Sequence, residues 1–219
     1  MEEVLSHYTK ILHPALMQTL YMSSLATFAG FFLGLIPGIA LVVTRKGGLC
    51  EKLWLFRSLD LLINMLRSFP FIILIIVLIP FTKLLVGKSI GTTAAIVPLT
   101  IGIAPFIAKL IENALLSVDE GVIEAAKSWG ASKMQIIFRV MFSQALPNII
   151  QGLCLTLIVV IGYSALAGTV GGGGLGDVAT RYGYQRFRVD IMIETVIILV
   201  VLVQAIQLLG DFLYRKTKK

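Results

Sequence analysis

The feature that most constrains this fold is a series of long apolar stretches without charged residues. No Asp, Glu, Lys or Arg lies between Lys10 and Arg45, for example. A membrane-spanning helix needs about 20 predominantly apolar residues, and several stretches of the chain reach or approach this length. We therefore predict an all-α integral membrane protein with five transmembrane helices, in a single domain over residues 16–212. The predicted spans are residues 16–43, 59–79, 89–108, 147–170 and 191–212.

Composition excludes the main soluble alternatives. The chain is 57% hydrophobic and only 14% charged, whereas soluble domains carry about 25% charged residues. Its net charge of +7 is not gathered on a soluble basic module, so no nucleic-acid partner is expected. The basic residues are expected instead to contact the anionic headgroups of membrane lipid.

The distribution of positive charge predicts the orientation in the membrane. Lys and Arg are concentrated in the loops after the first and third spans and in the C-terminal tail, which ends with Lys218 and Lys219. Such positive segments usually remain in the cytoplasm. Five spans then place the N-terminus outside and the C-terminus in the cytoplasm. Arg67 interrupts the second span and is expected to extend towards one membrane interface.

Several predicted spans contain residues that break helices. Pro37, Pro70, Pro98 and Pro105 all lie within them. Membrane helices tolerate proline where neighbouring helices satisfy the freed backbone groups. The pattern is compatible with close helix packing and equally with kinked helices around a translocation path, and the sequence does not choose between the two.

Residues 117–143, between the third and fourth spans, are predicted to form two short cytoplasmic helices. Ser117 to Glu120 fits a capping box at the start of the first helix, and Ser132 to Gln135 fits another at the start of the second. Gly130 stands where a glycine in the left-handed conformation would end the first helix.

The first of these helices presents small side chains beside acidic ones. Ala125 and Ala126 leave room for another protein to approach closely, and Glu124 lies on an adjacent face. The alternative is an amphipathic helix on the membrane surface, but such a helix usually has a basic polar face. Anionic lipid would repel Asp119, Glu120 and Glu124, so docking of a protein is favoured.

Glu124-Ala125-Ala126, followed after three residues by Gly130, resembles the EAA loop of the permease subunits of ABC-transporter importers. The resemblance implies that these four residues transmit the motion of ATPase subunits to the membrane helices. The family pattern usually continues to Leu-Pro, whereas this chain has Phe142-Ser143 at that place. The difference concerns the geometry of the second short helix.

Further stretches are similar to the methionine-uptake branch of that family, namely residues 67–73, 95–100, 104–108, 162–165 and 173–176. This resemblance implies a permease for D- or L-methionine in the bacterial inner membrane. It implies a homodimer that works with two cytoplasmic ATPase subunits and an extracytoplasmic substrate-binding protein. ATP and Mg²⁺ are then expected on the ATPase subunits, and no cofactor on this chain. A permease for another small amino acid is the alternative.

Tyr163, Ser164 and Leu166, in the fourth span, are the candidates for a translocation path. Tyr163 and Ser164 have hydroxyl groups that bond amines or carboxylates, and Leu166 has the size and polarity to close an apolar gate. The alternative is that all three only pack the helix bundle.

A glycine-rich segment follows the fourth span. Gly171, Gly173 and Gly176 match the spacing G-x-G-x-x-G, but dinucleotide binding needs a strand before that motif, and a membrane span precedes it in this chain. The sequence G-x-x-x-x-G-K-[ST] is also missing, so the chain is not expected to bind ATP. The glycines either end the helix loosely or form an external loop that adapts when a binding protein docks.

Arg181, Tyr182 and Tyr184, just after these glycines, are candidate contacts for the binding protein. Tyr and Arg are enriched at protein interfaces. The alternative is an aromatic belt with basic neighbours at the membrane interface.

An enzyme and a secondary transporter are the rival functional classes. An intramembrane enzyme needs paired carboxylates, metal ligands or an activated nucleophile, but His7 and His13 precede the first span, and Cys50 and Cys154 fit no metal or redox motif. A secondary transporter is expected to carry ionisable residues within its spans, and Glu194 is the candidate near a span. We therefore predict a transport subunit without catalytic or metal-binding residues.

Overall fold

A computed structural model describes residues 7–218, so Lys219 of the positive tail lies outside the described residues. Within that range the chain is helical, without a β-strand. The helices, in chain order, are α1 Tyr8–Thr44, α2 Leu53–Ser68, α3 Phe71–Val77, α4 Ile79–Val86, α5 Thr92–Leu116, α6 Glu120–Ser128, α7 Lys133–Gly172, α8 Gly174–Val178 and α9 Val189–Thr217. A π-helical turn, Ala179–Tyr184, continues α8 directly.

Four helices, α1, α5, α7 and α9, are each long and apolar enough to cross a membrane. The pair α2 and α3 meets the same criteria together, but the chain bends by 98° between them. The described residues therefore provide four spans, or five when α2 and α3 form one broken span. The all-α membrane fold predicted from the sequence is confirmed.

The helix predicted over residues 59–79 is interrupted at its proline. Pro70 lacks a backbone N–H and disfavours the helical conformation at the residue before it. Phe69 is accordingly extended, with φ −77° and ψ 126°. The carbonyl of Pro70 then accepts hydrogen bonds from the N–H groups of Ile73 and Leu74, which starts α3 in a new direction.

The centre of the fold is the contact between α1 and α5. Glycines of α1, spaced one turn apart, lie directly against α5. A Cβ atom added at Gly34 would lie 2.6 Å from the carbonyl oxygen of Ala104, and one added at Gly38 would lie 2.7 Å from that of Ala108. Small residues let membrane helices approach this closely. These glycines therefore serve helix packing, with Ile107 of α5 fully buried between the two helices.

The short helix α6 is capped by a different residue from the one predicted. The Oδ1 atom of Asp119 accepts a hydrogen bond from the N–H of Gly121 at 2.7 Å. Ser117 instead belongs to the end of α5, where its hydroxyl donates to the carbonyl of Ala114 at 2.8 Å. The predicted capping box at Ser117 is therefore wrong, because the Asp119 carboxylate is the acceptor next to the new helix.

α6 ends at the predicted glycine. Gly130 has a φ of 76°, in the left-handed region. The N–H groups of Gly130 and Ala131 donate to the carbonyls of Lys127 and Ala126, which is the hydrogen-bond pattern of a Schellman cap. The chain therefore turns sharply between α6 and α7.

The second predicted short helix is the beginning of α7. Ser132 and Gln135 form the predicted capping box at its start. The helix then runs on through Phe142-Ser143 without an intervening loop, and its backbone leaves the helical conformation only at Val170 and Gly171 near its end. The difference from the family pattern at these two residues thus falls inside a continuous helix. One separate short helix, α6, lies between the third and fourth spans.

Candidate functional site

The predicted docking segment forms a groove between α6 and the start of α7, which we call the α6 groove. Its volume is about 860 Å³, and its walls include Ala125, Ala126 and Gly130. Ala125 and Gly130 are exposed, and Ala126 is half-buried. The Schellman corner fixes the angle between the two helices, and the small side chains keep the groove open. The groove is large enough to receive a protein segment.

Glu124, the first residue of the predicted docking motif, lies on the other side of α6. It lines a separate cavity of about 290 Å³ together with Arg45 and Lys46 from the loop after α1 and with Lys127. The structure therefore separates the acidic residue of the motif from its small residues. Glu124 faces the basic loop, while Ala125 faces the groove.

Trp129 is a groove residue that the sequence reasoning missed. It stands at the groove wall with 89% of its surface exposed. Tryptophan is among the residues most enriched in the energetically dominant parts of protein interfaces. The signal in the sequence was an indole beside the helix-ending glycine, in a segment already predicted to dock a protein.

Tyr163 lines a cavity of about 370 Å³ between α2, α3, α5 and α7, which we call the Tyr163 cavity. Its ring stacks on Phe71, with the centroids 4.2 Å apart and the planes 7° apart. Asn64, Arg67 and Ser68 supply polar groups to the same cavity. The break between α2 and α3 brings all of these residues together, because it turns the end of α2 and the start of α3 towards one space.

Ser164 and Leu166 do not line the Tyr163 cavity. Ser164 is buried, and its hydroxyl donates to the carbonyl of Ile161 at 2.7 Å. Leu166 lies on an exposed face of α7, with 43% of its surface accessible. Of the three predicted path residues, the structure therefore places Tyr163 at the cavity and the other two outside its wall.

A second cavity, of about 410 Å³, lies between α5 and α7 on the side nearer α6; we call it the Asn148 cavity. Its lining is mixed: it includes polar residues, namely Arg67, Lys109, Asn113, Ser117, Asn148 and Gln151, beside apolar residues such as Phe106. The Asn148 amide donates to the Ser117 hydroxyl at 2.8 Å, which ties the end of α5 to α7.

Lys109 of α5 is neutralised by two carboxylates. Its ammonium donates to Glu112 at 2.6 Å and to Asp60 of α2. Asp60 also accepts a hydrogen bond from the Asn64 amide at 3.1 Å. Breaking such a partly buried set of charges is costly, because it leaves an uncompensated charge. The cluster therefore fixes α2 against α5. These pairs could not be predicted from the sequence, because Asp60 and Lys109 are far apart in the chain.

The glycine-rich segment at the other end of α7 is tightly packed. The chain reverses at Gly171 and Gly173, which have φ of 90° and 78°, so that α8 returns along α7. The N–H of Gly174 donates to Gln18 Oε1 at 2.8 Å, and that of Leu175 donates to the Thr19 hydroxyl at 2.9 Å. This segment, the glycine reversal (residues 168–176), is neither a loose helix end nor a freely adapting loop.

The three predicted binding-protein contacts follow the glycine reversal but differ in exposure. Tyr184 is 72% exposed. Arg181 is exposed and pairs with Asp177 at 2.8 Å. Tyr182 is half-buried, and the guanidinium of Arg186 lies 4.8 Å from its ring centroid. Arg181 and Tyr184 are therefore open to a partner, while the Tyr182 ring mainly supports them.

The ionisable residue singled out for a secondary transporter lies away from both cavities. Glu194 lies near the start of α9, where His7 Nδ1 is 3.7 Å from its carboxylate, and it lines neither of the two cavities. Within residues 7–218, no three His, Cys, Asp or Glu side chains are grouped so as to hold a metal ion.

Comparison with known proteins identifies relatives along most of the chain. A family model described as a binding-protein-dependent transport system inner membrane component matches residues 30–219. The chain is 54% identical over 206 residues to a probable D-methionine transport system permease protein from Vibrio cholerae, covering 94% of this chain and 92% of that protein. It is 46% identical over 197 residues to the corresponding protein from Pasteurella multocida, covering 90% and 91%.

A solved structure is similar in fold. It is described as an inward-facing conformation of the MetNI methionine ABC transporter. The TM-score is 0.94 at 44% sequence identity, and the match covers 95% of this chain and 97% of that one.

Proposed function

The chain belongs to the family of binding-protein-dependent transport system inner membrane components, and we propose that it is the permease subunit of an ATP-driven methionine importer. The permease class predicted from the EAA segment is confirmed, and the chain is a transport subunit rather than an enzyme. Methionine is proposed as the substrate because the chain is 54% identical, over nearly its full length, to a probable D-methionine permease.

The partners follow from this class of importer. A multi-pass inner-membrane permease of this family works with a cytoplasmic ATPase and an external substrate-binding protein. We propose that two copies of this chain assemble with two ATPase subunits. ATP and Mg²⁺ bind to those subunits. The similarity to the MetNI methionine ABC transporter supports this assembly.

The ATPase subunit docks in the α6 groove. Ala125 and Gly130 let it approach closely, and the exposed indole of Trp129 gives it a large apolar contact. Glu124 remains on the far side of α6 beside Arg45 and Lys46. In this arrangement, a force that the ATPase applies to α6 is transmitted to the end of α1 as well as to α5 and α7.

Motion of α6 reaches the path through short connections. Residues 117–119 join α6 to α5, and residues 129–132 join it to α7. Both cavities lie between walls formed by α5 and α7. A shift of α6 therefore changes the shape of both cavities, and methionine passes from the Tyr163 cavity to the Asn148 cavity.

The binding protein docks on the opposite side of the membrane, at the turn that follows α8. Arg181 and Tyr184 are its exposed contacts, and the glycine reversal holds that turn against α1. In this proposal the N-terminus lies outside and the C-terminus in the cytoplasm, and the distribution of positive residues supports that orientation. Tyr163 lines the path, whereas Ser164 and Leu166 shape the helix around it.

The test is uptake of labelled D- and L-methionine into proteoliposomes. They would contain this chain with its ATPase subunit, and receive the binding protein from outside. We expect uptake that requires both ATP and the binding protein. Uptake driven by a proton gradient without ATP would contradict the proposal, and so would import of a different amino acid with no import of methionine.

A further inference from the structure

The Tyr163 cavity and the Asn148 cavity meet at one charged residue. Arg67 and Phe106 are the two residues shared by the walls of both cavities. The guanidinium carbon of Arg67 lies 5.8 Å from the centroid of the Phe106 ring. Arg67 is therefore within reach of a molecule in either cavity.

Arg67 is exposed on the surface of a single copy of the chain, and its guanidinium lies beside Phe106. Phe106, its neighbour, is near the middle of α5, Thr92–Leu116. Arg67 itself is in the last turn of α2, just before the 98° bend. The expected extension of Arg67 towards a membrane interface stays a prediction. The broken span turns this arginine towards the two cavities.

Arg67 is not held in a salt bridge within the described part of the chain, although the Lys109 cluster on the same cavity wall has one carboxylate more than it has cations. Lys109, which shares the Asn148 cavity, has the carboxylates of Asp60 and Glu112 within hydrogen-bond distance. No carboxylate among residues 7–218 forms a salt bridge with Arg67. Ionisable residues at membrane depth that face a water-filled cavity usually mark a substrate pathway. A planar guanidinium matches the geometry of a carboxylate.

The rest of the Tyr163 cavity suits the other parts of an amino acid. Ser68 donates its hydroxyl hydrogen to the backbone carbonyl of Asn64 at 2.9 Å, which leaves the hydroxyl oxygen free to accept from an ammonium group. Phe71, Leu74 and the ring of Tyr163 form an apolar wall. The volume of about 370 Å³ is at the lower end of typical small-ligand sites, which span about 300–1,000 Å³.

We propose that Arg67 binds the α-carboxylate of the transported amino acid where the two cavities meet. The ammonium group lies towards Ser68, and the side chain lies against Phe71 and Leu74. The carboxylate then leaves Arg67 for the amide groups of the Asn148 cavity. Lys109 does not trap it there, because its charge is already neutralised. This inference rests on the proposed amino-acid import and adds the residue that recognises the substrate.

The test compares Arg67→Gln and Arg67→Lys with a matched control in the reconstituted importer. Arg57→Gln is the control, because Arg57 is exposed on the same helix and lines neither cavity. We expect Arg67→Gln to lower methionine uptake at least about tenfold, as loss of a charged hydrogen bond predicts. Arg67→Lys should retain part of the uptake, and Arg57→Gln should remain within about twofold of the wild type. Assembly with the ATPase and basal ATP hydrolysis should be unchanged in all three.

Two outcomes would overturn the inference. One is normal uptake by a fully assembled Arg67→Gln importer. The other is loss of assembly or thermal stability in Arg67→Gln without substrate, which would show that Arg67 pairs with a carboxylate of the second copy of the chain. If the wild-type importer itself does not take up methionine, the proposed function fails instead, so the two failures are distinguishable.

A chemical rescue separates charge from shape. Arg67→Cys would be made in a chain that also carries Cys50→Ser and Cys154→Ala, and then treated with a cationic or a neutral thiol reagent of similar size. We expect the cationic reagent to restore uptake and the neutral reagent not to do so. Equal restoration by both reagents would overturn the role of the Arg67 charge.

Discussion

The two ends of α7 are both glycine corners, but they are built in opposite ways. At the α6 end, a Cβ atom added at Gly130 would meet nothing within 4 Å. At the other end, a Cβ atom at Gly176 would lie 2.3 Å from the carbonyl oxygen of Ala165. One at Gly174 would lie 2.6 Å from Met22 of α1. Glycine is therefore needed only for its backbone conformation at the first corner, whereas the second corner needs it for its size as well.

The α6 groove is therefore a surface on which a partner exerts force, whereas the glycine reversal maintains the position of α8 against α1. The Gly130 corner leaves the α6 groove open, so a partner is able to enter and push α6. The glycine reversal is hydrogen-bonded to Gln18 and Thr19 of α1, so it moves together with α1. Each prediction below tests whether the Gly130 corner is open to a partner or whether the glycine reversal is fixed by its packing and hydrogen bonds.

The largest effect is expected at Gly176. Gly176→Ala forces a methyl group against the backbone of Ala165, and such overpacking costs about 3 kcal/mol or more when backbone has to move. Thermal unfolding in detergent would measure the loss. Gly162→Ala is the matched control, because a Cβ atom at Gly162 meets nothing within 4 Å. Equal stability of the two variants would contradict the packed reversal.

A smaller loss is expected when the reversal is detached from α1. Gln18→Ala removes the acceptor of the Gly174 N–H, and an unsatisfied donor costs about 1–3 kcal/mol. The same thermal measurement applies, with Gln144→Ala, an exposed polar residue of α7, as the control. If Gln18→Ala is no less stable than Gln144→Ala, the hydrogen bond does not hold the reversal.

The smallest stability effect is expected at the open corner. Gly130→Ala places a Cβ atom on a residue with φ 76°, which costs about 1–2 kcal/mol. Gly130→Asn should cost less, because asparagine tolerates that conformation better. If alanine and asparagine destabilise the protein equally, the effect does not come from backbone conformation.

Features that depend on residues adjacent in the chain could be predicted from the sequence. The long apolar runs predict spans, because the bilayer sets the length of a helix. The glycine end of α6 and the capping box at Ser132 depend on a few adjacent residues, and both form. The cap at Ser117 was wrong because Asp119 offered a second acceptor only two residues away.

Features that depend on distant contacts could not be predicted. Pro37 and Pro98 lie inside continuous helices, whereas Pro70 separates two helices. Whether a membrane proline breaks its helix depends on how neighbours satisfy the backbone. The glycine reversal is held by Gln18, 156 residues away from Gly174. The position of Arg67 at two cavities follows from the break in the helix at Pro70, so it could not be predicted from the sequence either.

Retention of the ATPase subunit by variants of α6 tests the open corner most directly. Ala125→Trp fills the α6 groove, whereas Ser128→Trp adds the same side chain to α6 outside the groove. On purification of the complex, Ala125→Trp should lower the retained ATPase at least about tenfold, since a loss of about 1.4 kcal/mol already corresponds to that factor. Ser128→Trp should retain it within about twofold. Equal retention by the two variants would show that the ATPase does not enter the α6 groove.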